Sequence, residues 1–185
     1  MAIRIAVTGR PGVGKTTLCM KVYSMLKNSG IDCSGFVTKE IRGNGRTGFK
    51  VVDLESGKSF VLATKKTDCS PALRVGKYCV NVEEFESYIE KLASSLFLKN
   101  EKRSKGERPL KVIIDEVGPM ELKSRKFVEF IGSVVESDLD ILFSIHMRSN
   151  HPLLRSLREK LKVYTITEEN RDEMAEKIFR MIAEG

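Results

Sequence analysis

Gly9-Arg10-Pro11-Gly12-Val13-Gly14-Lys15-Thr16 satisfies G-x-x-x-x-G-K-[ST] at every fixed position. The run before it, Ile3 to Thr8, has the apolar character of a short buried strand, and Lys15 to Ser29 carries Leu18, Val22, Met25 and Leu26 at helical spacing. A strand, a glycine-rich loop and a helix in that order build an anion cradle. The loop's backbone N–H groups converge without Cβ interference, and the helix directs its positive dipole end at the same point. In such a Walker A loop, residues Gly9 to Thr17 wrap phosphates, Lys15 reaches the β- and γ-phosphates, and the Thr16 hydroxyl is placed to ligate Mg²⁺. The helix is expected to stop at Asn28-Ser29-Gly30.

A second chemical feature lies about a hundred residues on. Leu110-Lys111-Val112-Ile113-Ile114-Asp115 is a mostly apolar run suited to the middle of a parallel sheet, and it ends in a carboxylate. At the carboxyl edge of the sheet Asp115 is the candidate Walker B metal ligand, opposite the P-loop. Glu116, the next residue, is the candidate general base for an attacking water. Val117 and Gly118 complete this predicted nucleotide contact.

The rest of the chain alternates strands and helices. Gly35 to Arg42 and Thr47 to Leu54 flank Gly43-Asn44-Gly45-Arg46, a hairpin turn, and Ser59 to Ala63 extends it to an antiparallel three-stranded meander. Residues 64 to 74 are polar and read as loop, and Val75 to Val80 as a short strand. Asn81 with Glu84 starts a helix, and Ser124 caps another with Phe127, Phe130, Ile131, Val134 and Val135 inside. Ile141 to His146 is a buried strand whose last polar residues, Ser144 and His146, are placed to sense a γ-phosphate or are satisfied locally. A helix from Pro152 to Leu161, a strand from Val163 to Thr167 and a helix from Glu168 to Ala183 capped by Thr167 follow. This pattern is a three-layer, doubly wound α/β fold with a mainly parallel sheet and a small antiparallel hairpin insertion. An extra strand between the P-loop and Walker B strands, with Glu beside Asp, points to the RecA-like branch of P-loop proteins.

Composition narrows the classes. With 185 residues, 41% of them hydrophobic, one domain over residues 1–185 is expected. No apolar run reaches membrane-span length, and the first strand begins within a few residues of Met1, so no leader is expected and a cytoplasmic location is. Four cysteines, Cys19, Cys33, Cys69 and Cys79, lack C-x-x-C spacing and nearby histidines, so zinc and disulfides are not expected. A net charge of +7 permits a nucleic-acid partner. No aromatic residue interleaves the charged run from Lys99 to Arg108 to stack on bases, however, and that run reads as a solvated loop.

Five stretches in order also carry a resemblance: GRPGVGKTT from Gly9, GFVTKEIRGNGRTGF from Gly35, VGKYCV from Val75, VIIDEVGPMEL from Val112 and TEENRD from Thr167. Together they resemble the small nucleoside-triphosphatases first described from thermophiles, a family that includes the cancer-related nucleoside-triphosphatase. The resemblance covers nearly the whole chain. It implies Mg²⁺-dependent hydrolysis of ATP, GTP, CTP and UTP to diphosphate and phosphate with loose base preference. That family usually has Lys where this chain has Pro119, so another cation is needed if the lysine binds phosphate. Arg42 and Arg46 at the hairpin and Arg171 at the last helix are the candidate arginine fingers, and Asn170 is placed to touch a base edge.

Two other activities share the motif. Asp115-Glu116-Val117-Gly118 also fits the D-x-x-G of a GTPase switch, but Asn170-Arg171-Asp172-Glu173 departs from N-K-x-D by Arg for Lys and Glu for Asp. A small-molecule kinase, with Glu116 activating an acceptor hydroxyl and the hairpin forming its pocket, differs only in what stands in line with the γ-phosphate. A nucleotide-dependent RNA-binding module without turnover is the third alternative.

Overall fold

In the computed structural model, which describes residues 2–104 and 106–185, the sheet is built outward from β1 (Arg4–Thr8). Lys105, in the charged run expected as loop, lies outside the described residues. β1 is flanked by β8 (Asp140–Ile145) and β9 (Lys162–Thr165), both parallel to it, and β7 (Lys111–Val117) lies on the far side of β8. β2 (Cys33–Gly43) then pairs parallel with β7. One strand thus separates the P-loop strand from the Walker B strand, as the sequence pattern predicts.

Beyond β2 the sheet turns antiparallel through β3 (Gly45–Asp53), β4 (Ser59–Lys65), β6 (Tyr78–Val80) and β5 (Arg74–Val75), giving the order β5-β6-β4-β3-β2-β7-β8-β1-β9. The predicted meander is therefore not a separate flap. β2 belongs to both halves: its first five residues pair with β7 and its length from Phe36 onward pairs with β3. A strand of eleven residues is long enough to do both. The stretch read as one strand, Val75 to Val80, is two, folded at Gly76-Lys77.

Helices cover both faces. α1 (Lys15–Asn28) and α5 (Arg171–Glu184) pack on one, with Leu18, Val22 and Leu26 meeting Ile5, Val7, Ile113, Ile178 and Ile182. α2 (Val82–Glu101), α3 (Arg125–Glu136) and α4 (Pro152–Lys160) contribute to the other, where Phe85, Ile89, Phe127, Ile131 and Leu157 join Phe36, Val112, Ile114 and Phe143. Each fully buried aliphatic or aromatic side chain contributes about 1.5–3 kcal/mol of transfer free energy. Phe36, Phe85 and Phe127 form an edge-on and tilted aromatic cluster with centroids 5.3–6.1 Å apart, clamping β2 to α2 and α3. The predicted caps form: Asn81 Oδ1 accepts from Glu84 N–H, and Ser124 Oγ accepts from Phe127 N–H at 3.0 Å.

Two expectations fail. Cys69 and Cys79 are joined in a disulfide, with Cα atoms 5.8 Å apart, whereas Cys19 and Cys33 are free and buried as expected. Cysteines ten residues apart gave no spacing signal. It is the pairing of β5 with β6, Arg74 opposite Cys79, that folds the Cys69 loop back over the strand. The last helix begins at Arg171 rather than Glu168, because Thr167 and Asn170 hydrogen-bond each other and hold residues 168–170 in turns. No helix among the described residues is long and apolar enough to cross a membrane.

At the edge of the sheet remote from the P-loop, Lys111 and Asp140 stand opposite each other at the start of β7 and β8, both buried and ion-paired. Asp140 Oδ1 also accepts from Ile3 N–H at 2.6 Å. Removing one member strands the other's charge in the interior. We predict that Lys111→Met costs about 3–5 kcal/mol of unfolding free energy, measured by urea denaturation; a loss below about 1 kcal/mol would show that the pair contributes no more than a surface one.

Candidate active site

The cradle follows from the backbone that its sequence permits. Gly12 and Gly14 lie at φ +78° and +109°, where a side chain would strain the loop, and between them Val13 tucks its side chain into the core. α1 then starts at Lys15 with its first N–H groups facing the loop. The Lys15 ammonium, nearly buried, donates to the carbonyls of Gly9 at 3.0 Å and Arg10 at 3.2 Å, so it spans the loop's mouth. Arg10, Pro11, Gly12 and Thr17 remain exposed around it.

Across the sheet edge, Thr16 Oγ donates to Asp115 Oδ2 at 2.6 Å. The same carboxylate accepts from the Ser144 hydroxyl, on the neighbouring strand β8, and from the Thr38 backbone N–H on β2. Burial pushes the Asp115 carboxyl above its usual range against the lowering pull of Ser144, Thr16 and Lys15. Ser144 therefore orients the carboxylate and is itself fully buried. Of the two readings for Ser144, local satisfaction holds, but the partner it satisfies is the candidate metal ligand. A serine two residues before the end of a buried strand gives that signal only once the order β7-β8 is known.

Glu116 follows through a cis peptide bond, at an irregularity in the β7–β8 register between Ile114 and Val117. Its carboxyl folds back over Gly118: a Cβ on Gly118 would sit 2.4 Å from Glu116 Oε1 and 2.9 Å from its Cγ. Burial, then the Asp115 charge, pushes Glu116 up to about 7, with Lys15 pulling the other way. Glu121, at the start of the short 3₁₀ turn Glu121–Lys123, is buried beneath it and accepts from Thr38 Oγ at 3.2 Å. Burial and the nearby Glu116 charge push the Glu121 carboxyl up to about 8. Sequence alone assigns Glu121 no role, because the four residues between it and Glu116 hide that it returns to the base.

The other nominated residues divide clearly. His146 sits at the end of β8 with Nδ1 accepting from Arg148 and Ser149 N–H, at 3.3 and 3.1 Å. Burial and then Lys15 lower its pKa, which favours the neutral ring. Arg42 and Arg46 share one carboxylate: Arg42 Nη2 lies 2.7 Å from Glu40 Oε2, and Arg46 pairs with Oε1. To act as a finger, either would have to leave Glu40. Arg171 lies against the P-loop, with Nη1 donating to the Val13 carbonyl at 3.2 Å. Asn170 spends its amide on its own loop: Oδ1 accepts from Thr167 N–H at 2.9 Å and Nδ2 donates to the Thr165 carbonyl at 3.0 Å. These two bonds fix the amide's orientation and leave one N–H and one lone pair for an edge contact to a base.

The hydroxyl of Thr16 and the carboxylate of Asp115 are hard oxygen donors, the type that Mg²⁺ takes together with substrate phosphates and water. Among the described residues no cluster of three or more His, Cys, Asp or Glu forms an all-protein metal cage, which is the donor set Mg²⁺ needs least. A cavity of about 440 Å³ beside Phe60, Asn81 and Tyr88 and one of about 740 Å³ beside Arg4, Lys162 and Glu184 both lie away from this edge. The P-loop binds anions on a surface of backbone N–H groups rather than in a pit.

This constellation is shared with known proteins. The family model described as NTPase matches residues 4–179. The chain is 47% identical over 181 residues to nucleoside-triphosphatase THEP1 of Archaeoglobus fulgidus, covering 97% of this chain and 99% of that protein. It is 37% identical over 185 residues to the protein of the same name from Methanocaldococcus jannaschii, covering 99% of each. The crystal structure of THEP1 from the hyperthermophile Aquifex aeolicus superposes with a TM-score of 0.80 at 33% identity, covering 98% of this chain and 99% of that one. The solution structure of a human cancer-related nucleoside triphosphatase gives 0.82 at 33% identity, covering 100% and 99%. A P-loop, a Walker B carboxylate held against it and relatives matched from end to end lead to one conclusion: the chain belongs to the NTPase family of THEP1-type proteins and is a nucleoside-triphosphatase.

Proposed function

We propose that residues 1–185 form a single domain that hydrolyses nucleoside triphosphates to diphosphate and phosphate with Mg²⁺, accepting ATP, GTP, CTP and UTP with little regard for the base. The observation that carries this reading is the 2.6 Å contact between Thr16 Oγ and Asp115 Oδ2, with the buried Glu116 next on the strand. Mg²⁺ held by Thr16 and Asp115 supplies neutralising charge to the β- and γ-phosphate oxygens. Gly9 to Thr17 then hold the phosphates by backbone N–H groups, and the Lys15 ammonium exchanges its two carbonyl partners for phosphate oxygens.

Glu116 carries the proton transfer. The oxygen of a water attacks the γ-phosphorus while the Glu116 carboxylate accepts the water proton; the bond from phosphorus to the β–γ bridging oxygen breaks, and that oxygen leaves with the diphosphate. A carboxyl with a pKa near 7 is a stronger base than an exposed glutamate and still largely ionised in mildly alkaline solution. Gly118 makes this possible sterically, since any side chain there would drive the Glu116 carboxylate from its position. Pro119 supplies no charge, and Lys15, whose ammonium bonds the Gly9 and Arg10 carbonyls, is the cation this reading assigns to the phosphates.

The test is phosphate release by the purified protein with Mg²⁺ and each of the four nucleotides. We expect turnover of all four, and turnover of none despite nucleotide binding would instead indicate a missing acceptor, as in a kinase. Lys15→Ala should abolish tight triphosphate binding in a calorimetric titration. Glu116→Gln should bind normally and lose about 10²-fold or more in kcat; a variant as fast as the parent would remove Glu116 from the role. Activity should rise with pH through about 7 as Glu116 loses its proton, a rise absent from the residual activity of Glu116→Gln. Gly118→Ala should lower kcat by at least about 10-fold, read from phosphate release at saturating nucleotide, since a displacement of the base on the order of 1 Å costs up to about 10²-fold.

A further inference from the structure

The sheet order gives the bound nucleotide a direction. The P-loop follows β1, and the candidate metal ligand and base lie on β7, to one side of it beyond β8. With the γ-phosphate at that side, the remainder of the nucleotide leaves the cradle toward the other, where β9 and the start of α5 stand. This step rests on the hydrolysis reading above.

The wall on that side is made by residues 166–171. The Ile166 carbonyl closes on Gly9, where a Cβ would lie 2.6 Å from its oxygen. Thr167 Oγ accepts from Asn170 N–H at 3.2 Å, and the Asn170 amide is anchored within the turn at both its oxygen and its nitrogen, which fixes its orientation. Glu168 and Glu169 are exposed on the turn. Arg171 is different. Its side chain lies against the P-loop, with Cδ and Nη1 3.1 and 3.2 Å from the place a Cβ on Gly14 would occupy, and Nη1 anchored on the Val13 carbonyl. It has no carboxylate partner among the described residues and is half-buried. A held, planar guanidinium offers a face to any base's π-system, whereas an ammonium does not.

We propose that Arg171 is the nucleobase platform of this enzyme: its guanidinium, pinned to the P-loop at Val13 and Gly14, stacks on the base and so binds purine and pyrimidine nucleotides without reading their edges. This makes Arg171 a base-binding residue rather than an arginine finger: its guanidinium is anchored on the Val13 carbonyl, and it extends from the start of α5, after β9, the strand on the other side of β1 from β8 and β7. It also gives loose base preference a physical source. Stacking is tolerant of sequence because every base has a π-face.

Inorganic tripolyphosphate separates the base from the phosphates. We would measure kcat and KM for ATP, GTP, CTP, UTP and tripolyphosphate with the parent, Arg171→Ala and Arg171→Lys. The expected result is a rise in KM of roughly 10- to 100-fold for all four nucleotides in both variants, larger for purines, with kcat near parental and tripolyphosphate kinetics unchanged. The lysine variant keeps a donor and charge for Val13 but no plane, so a collapsed P-loop cannot explain its defect if tripolyphosphate turnover persists. An equal loss on tripolyphosphate in the lysine variant, a fall in kcat on every substrate, or unchanged nucleotide KM would each overturn the proposal. If the parent hydrolyses none of these, the hydrolysis reading fails and calorimetry decides the platform independently. Arg171→Lys weakening ADP but not pyrophosphate supports it, and equal effects or no effect on the two overturn it.

Discussion

The rest of the site depends on one buried carboxylate. Asp115 is held by a hydroxyl from α1, a hydroxyl from β8 and a backbone N–H from β2, with the Lys15 ammonium near. An isolated ionised carboxylate in the interior would be prohibitively costly, and only convergent donors make it tolerable. Those donors come from three elements distant in sequence, so the position of Asp115 requires β2, β7 and β8 to lie side by side and α1 to lie across their ends. Desolvation still outweighs the donors, so the carboxyl's pKa lies above its usual range.

The same edge concentrates three acidic groups in little volume. Burial raises all three carboxyls, and the Asp115 charge raises Glu116 further while the Glu116 and Asp115 charges raise Glu121. This is a destabilising arrangement in alkaline solution: a carboxyl whose folded pKa lies above its unfolded value costs the native state stability as pH rises through the folded value, here about 7 and 8 for the two glutamates. The cost is borne where the chemistry is, and the apolar layers on both faces of the sheet offset it.

Charge is distributed asymmetrically around β1. Acidic groups lie toward β7, and the guanidinium of Arg171 toward β9, with Lys15 between. The hairpin arginines, which by sequence alone looked as able as Arg171 to reach a phosphate, neutralise Glu40 instead. The partners these three arginines meet separate them: Glu40 for the hairpin pair and the Val13 carbonyl for Arg171.

Much was legible in the residues themselves. Glycines at Gly12 and Gly14, lysine at Lys15 and an apolar strand ending in Asp-Glu fix an anion loop and its acidic partner through local backbone geometry and strand burial, and these are short-range properties. The helix caps at Asn81 and Ser124 were legible for the same reason. The Ser144–Asp115 contact, the return of Glu121 to the base, the Cys69–Cys79 disulfide and the commitment of Asn170 to its own turn were not. Each depends on which strands become neighbours or on how a loop folds back, and pairing across a sheet is decided by the burial of two whole faces at once. The sequence by itself determined that an anion cradle would form between a strand and a helix and that Asp115 and Glu116 would follow an apolar run; only the tertiary structure decided which side chains orient those carboxylates and on which side of β1 they stand, because those relations exist between strands and not along any one of them.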